Sequence, residues 1–131
     1  MIAPAALLAL AFFGTATPSS ARPLPEGTWG GAGVALTVTA KGGDLEFACA
    51  YGKLDEPIAP DAEGRFAARG VYVQERPGPV RPDDLAGKRA RYVGRISGDS
   101  MTVSISVEGS DAEIGPYTLE RGRLPRIVKC R

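Results

Sequence analysis

Between Met101 and Val107 the chain reads MTVSISV, with Met101, Val103, Ile105 and Val107 set against Thr102, Ser104 and Ser106. A period of two belongs to a strand with one buried and one wetted face. The same period recurs along the chain, and no stretch of useful length shows the helical one. Val34, Leu36 and Val38 share a face, as do Leu45, Phe47, Cys49 and Tyr51; a short run then passes through Leu54 and Ile58. Phe66, Ala68, Gly70 and Tyr72 align next, followed by Ala90, Tyr92, Gly94 and Ile96, and by Tyr117, Leu119 and Arg121. A last run, LPRIVKC, ends at Cys130. Gly, Asp, Pro and Ser separate these runs, as turns require, and Gly98-Asp99 has the form of a tight hairpin centre. Arg76 to Arg89 contains three prolines, which lack a ladder donor, and reads as a loop. The predicted fold is all-β, about eight short antiparallel strands in an up-and-down barrel, whose closure removes exposed edges. A two-sheet β-sandwich is the alternative.

Residues 1–21 are different in kind. Leu7 to Phe13 are apolar, small residues follow, and the first charge is Arg22. That order matches the apolar region and small-residue cleavage zone of a secretory signal peptide. It falls short of the about 20 apolar residues of a membrane span. No Lys or Arg precedes the apolar run, which departs from the usual pattern and keeps a buried N-terminal helix as the alternative. Cleavage after Ala21 would leave residues 22–131 as one domain, secreted or periplasmic, monomeric, with no membrane span of its own.

Sixteen Lys and Arg face fifteen Asp and Glu, a net charge of +1. The cations read as scattered among the acids, a mixed solvated surface that gives no reason to expect nucleic acid, an acidic membrane surface or an acidic substrate. Cys49 and Cys130 form an even pair, which in an exported chain reads as a disulfide. Closing a loop of about 80 residues is worth about 4–5 kcal/mol in the chain-entropy picture. The alternative, a thiol metal site, lacks its usual partners because the chain has no histidine. No metal or cofactor is expected.

The only tryptophan, Trp29, stands just before the first clear alternating run, at an odd position, whereas Val34, Leu36 and Val38 are even. Gly30 to Gly33 read as a bulge or bend that resets the register, so that Trp29 turns inward and plugs one barrel end. Gly27-Thr28-Trp29 at the start of an exported eight-strand chain resembles the Gly-x-Trp signature of the calycins, the lipocalins and avidin-like proteins. The resemblance implies a barrel closed by Trp29 under an arginine of the last strand, matched by Arg121, with Arg123 as second candidate. It also implies a tail tethered to the barrel through Cys130. The lipocalin helix before the last strand and the biotin-holding polar set of the avidins are not evident. Tyr92 to Thr102 also resemble a Y-x-G-x-x-x-G-D-x-M-T hairpin of short exported bacterial proteins, which carries no activity with it.

Without histidine there is no Ser-His or Cys-His nucleophilic pair. The remaining carboxylate pairs are Asp55-Glu56, Asp61 with Glu63, and Asp83-Asp84; the first would point to opposite faces and the second sits in a turn. The chain is therefore read as a non-catalytic exported barrel. An eight-stranded barrel either fills with side chains or holds one small ligand. Tyr51, Tyr72, Tyr92 and Tyr117 are placed by parity on inward faces, as a site for a small apolar or amphipathic ligand or as plain core. The second reading is a secreted protein-binding module or protease inhibitor, since the chain also resembles small bacterial metalloprotease inhibitors. That module would act through the arm Arg22 to Gly27 or through the Pro-rich loop.

Overall fold

The structure, a computed structural model, describes residues 22–75 and 87–130. The signal-like segment and residues 76–86 of the Pro-rich loop, with Asp83 and Asp84, lie outside the described residues. Eight strands close into an up-and-down antiparallel barrel, each paired with its neighbours in sequence and β8 with β1. They are β1 (Gly27–Gly31), β2 (Val34–Thr39), β3 (Gly42–Phe47), β4 (Ala50–Leu54), β5 (Arg65–Gln74), β6 (Lys88–Ser97), β7 (Ser100–Val107) and β8 (Glu113–Arg121). No two-sheet sandwich forms.

The strand membership differs from the sequence reading at four places. Gly27–Gly31 is a strand in its own right, joined to β2 by a two-residue turn at Ala32-Gly33, where Gly33 adopts φ 77°. The glycine cluster is thus a hairpin and not a bulge. Its two-residue loop makes odd positions of β1 face even ones of β2, so Trp29 lies directly opposite Leu36, on the same inward face. The run Leu45 to Tyr51 is likewise broken, by a turn at Ala48-Cys49 between β3 and β4. Neither the run through Ile58 nor the final LPRIVKC is a strand; the latter contributes only a bridge, Ala32 with Arg126.

The longest strands follow their parity, except at the end of β5, where the odd-numbered Val73 is also buried. Phe66, Ala68, Ala90 and Tyr92 are buried, as are Met101, Val103, Ile105 and Val107. The β6–β7 hairpin pairs Ser97 with Ser100 across Gly98-Asp99, and Gly98 takes φ 60°, a left-handed value that glycine adopts without a Cβ clash. In β8 the register slips opposite Ser104, beside Gly115-Pro116, where proline cannot supply a ladder N–H.

One end of the barrel is closed by Leu24, Trp29 and Ile58, all in the core. Leu24 is held there by its N–H, which donates to the Ile58 carbonyl at 2.7 Å. Arg121, the last residue of β8, lies over the Trp29 ring at 4.7 Å and also faces Asp99 at 3.4 Å. The C-terminal segment then runs beside β1, where Arg126 donates its N–H to Gly31 and accepts one from Gly33. Cys49 and Cys130 stand at disulfide distance, with Cα atoms 5.1 Å apart.

Candidate functional site

The four tyrosines part company once the barrel closes. Tyr92 is a central brace: its ring is fully buried, and its hydroxyl crosses from β6 to donate to the Val71 carbonyl of β5 at 2.7 Å. Two strands along, Gly52 of β4 leaves room for it: any Cβ there would collide with the Tyr92 hydroxyl. Burial, with smaller contributions from Tyr72 and Asp55, holds this phenol well above its ordinary range. The void around it, walled by Leu36, Leu45, Leu54, Phe66 and Met101 among others, amounts to about 10 Å³. That is room for about one water molecule. At this level the barrel is packed.

Tyr72 and Tyr117 are half-buried and meet at Phe47, with ring centroids 5.7 and 5.1 Å from it in tilted contacts. Burial first, and then Tyr117, raises the Tyr72 phenol. These three rings form an aromatic cluster beyond Tyr92, toward the end opposite Trp29.

Tyr51 is not with them. It stands on the outer wall, 38 % exposed, opposite Glu46 and Val73. The turn at Ala48-Cys49 is the reason: Phe47 points inward at an odd position, the turn takes up two residues, and Ala50, Gly52 and Leu54 point inward at even ones. The inward placement of Tyr51 is corrected accordingly.

The acidic candidates are engaged locally. Asp61 Oδ1 accepts the N–H groups of Glu63 and Arg65, an Asp-led turn, while Glu63 faces Arg65 at 3.6 Å. Glu56 accepts the Arg69 N–H at 2.7 Å. The N-terminal arm is not free along its length, because Leu24 is a core residue.

A feature the sequence reading passed over is on the outside of β5 and β6. Arg65 and Arg69 point outward from β5, and Arg89, Arg91 and Arg95 from β6. The register sets Arg65 directly opposite Arg95 and Arg69 opposite Arg91. Among the described residues only Arg65 of these five has a carboxylate within ion-pair distance. The signal was present in the numbers: all five are odd, and the inward residues of both strands are even. The notion of scattered arginines gives way to a ladder. An open groove of about 810 Å³ crosses this face, reaching from Asp55 and Glu56 past β5 and β6 to Ser106 and Glu108.

No family model, no curated protein and no solved structure matches the chain.

Proposed function

We propose that the protein is an exported, non-catalytic barrel that binds its partner on its surface and does not enclose a small ligand. The observation that supports this most directly is the void of about 10 Å³ around Tyr92, too small for any organic ligand. Export rests on the signal-like residues 1–21 and on a cysteine pair at disulfide distance, which suits an oxidising compartment. Kinship with the calycins belongs to the same reading, supported by the closed eight-stranded barrel and by Arg121 over the ring of Trp29.

Native mass spectrometry of protein purified from its host culture tests the central point. The expected mass is that of the bare polypeptide from Arg22; a stoichiometric small apolar ligand that survives purification would overturn the reading. A second reading is favoured by one cluster, Phe47 with the half-buried Tyr72 and Tyr117. An amphipathic ligand would rest its apolar part on these rings and offer a polar group to the phenols. In that case Tyr72→Ala should weaken binding at least tenfold, while Tyr51→Ala on the outer wall leaves it unchanged.

A further inference from the structure

We infer that the arginine ladder of β5 and β6 is a docking surface for an acidic polysaccharide, a linear chain bearing carboxylate or sulfate groups. The inference rests on the surface-binding reading above and names the partner class for one face. Its starting point is an unfavourable arrangement that the fold keeps. Like charges directly opposite each other in an antiparallel pair are destabilising, and here Arg69 faces Arg91 and Arg65 faces Arg95. The outward positions of β7 beside them are Thr102, Ser104 and Ser106, so no acid from the neighbouring strand offsets the charge. The carboxylates of this region are Asp55, Glu56 and Glu108, which follow the ends of β4 and β7 and line the two ends of the groove, and Glu63, which lies 3.6 Å from Arg65.

The geometry selects the occupant. Alternate residues of a strand stand about 6.7 Å apart and adjacent strands about 4.8 Å apart, so Arg89 to Arg95 span about 20 Å across three strands' width. That footprint is roughly 300 Å², well under the about 800 Å² per partner of a stable protein–protein interface. A thin chain fits it better than a folded partner. The closed barrel has no free edge here, since β5 and β6 are paired on both sides, so an extended peptide cannot be held by strand addition. Single-stranded nucleic acid is held by aromatic platforms as well as charge, and the outward positions of β5, β6 and β7 carry no aromatic ring. What the face does offer is guanidinium forks, which take carboxylate or sulfate oxygens in pairs. Between the two arginine rungs lie Ala67, Val93 and Ser104, small or apolar residues that suit a sugar ring.

The mature protein, passed over immobilised heparin and immobilised polygalacturonate at low salt, should be retained on at least one and released as salt rises. Arg69→Gln with Arg91→Gln should weaken that binding at least tenfold. The charge-matched pair Lys41→Gln with Arg123→Gln, away from the face, should weaken it less than twofold. Circular dichroism of both variants checks that the barrel is intact. Passage through both columns without retention would overturn the inference, and so would equal weakening by the two pairs, which would mean bulk charge alone. Displacement by a twenty-residue oligothymidylate at lower concentration than by the polysaccharide would overturn it in favour of nucleic acid. Should the inference fail while native mass spectrometry still shows a bare polypeptide, surface binding stands and only the partner class falls.

Discussion

At the scale of single residues, Tyr92 shows how one side chain decides between a container and a solid. Its phenol reaches the neighbouring strand to bond Val71, and Gly52, one strand further on, leaves space for the hydroxyl. Removing the hydroxyl in Tyr92→Phe deletes one buried hydrogen bond, a loss of about 1 kcal/mol in urea unfolding. The pH dependence is a sharper readout. An ordinary tyrosine ionises near 10, and burial holds Tyr92 above that in the folded state. Above pH 10 the unfolded chain therefore loses this proton while the folded chain keeps it, so stability falls as pH rises past 10. Tyr92→Phe should flatten that decline between pH 10 and 11 without abolishing it, because Tyr72 is raised in the same sense. A slope identical to wild type would refute the brace.

At the scale of elements, the ladder of β5 and β6 makes a prediction that is independent of any ligand. If Arg69 and Arg91 repel across the strand pair, replacing Arg69 by Gln should stabilise the protein at low salt, by about 0.2–1 kcal/mol. Salt screens exposed charges, so the gain should shrink to nothing near 1 M sodium chloride, as read from melting midpoints. A substitution that destabilises at every salt concentration would show that Arg69 packs and does not repel.

The same strands mark what sequence could reveal. β5, β6 and β7 are long, and an uninterrupted alternation of seven or more residues fixes which face is buried, whatever happens elsewhere. The arginine ladder was therefore legible in principle from parity alone. The short strands were not. Ala48-Cys49 and Ala32-Gly33 are two-residue turns without the Asn-Gly or Asp-Gly signal of a tight hairpin, and each reverses parity. Missing the first turned Tyr51 inward; missing the second made a bulge of a hairpin. Which tyrosines share a cluster depends on register around the closed barrel, which no single run of residues contains.

At the scale of the whole molecule, closure has a thin line. β1 and β8 share only two paired positions, Trp29 with Arg121 and Gly30 with Glu120, whereas β5 and β6 share eight. The C-terminal segment reinforces that seam from outside. A Cβ at Gly30 would strike the backbone of Arg123, so the tail lies tight against β1. Its far end is held by the Cys130 N–H, which donates to Ala48 at 2.8 Å, and by Lys129, whose ammonium donates to the Phe47 carbonyl at 2.9 Å and to Glu75 at 2.6 Å. A bridge between Cys49 and Cys130, 81 residues apart in sequence, would fasten this strap. Cys49→Ser with Cys130→Ser should then lower unfolding stability by about 4–5 kcal/mol, the cost of reopening so long a loop in the unfolded chain. Amide exchange separates this entropic effect from a local one. If the strap guards the seam, the double variant should lose protection first in residues 122–130, β1 and β8, while β5, β6 and β7 exchange at rates set by global unfolding. Uniform loss of protection would mean that the bridge acts on the unfolded chain alone and that the two pairs of the β1–β8 seam suffice to keep the barrel shut.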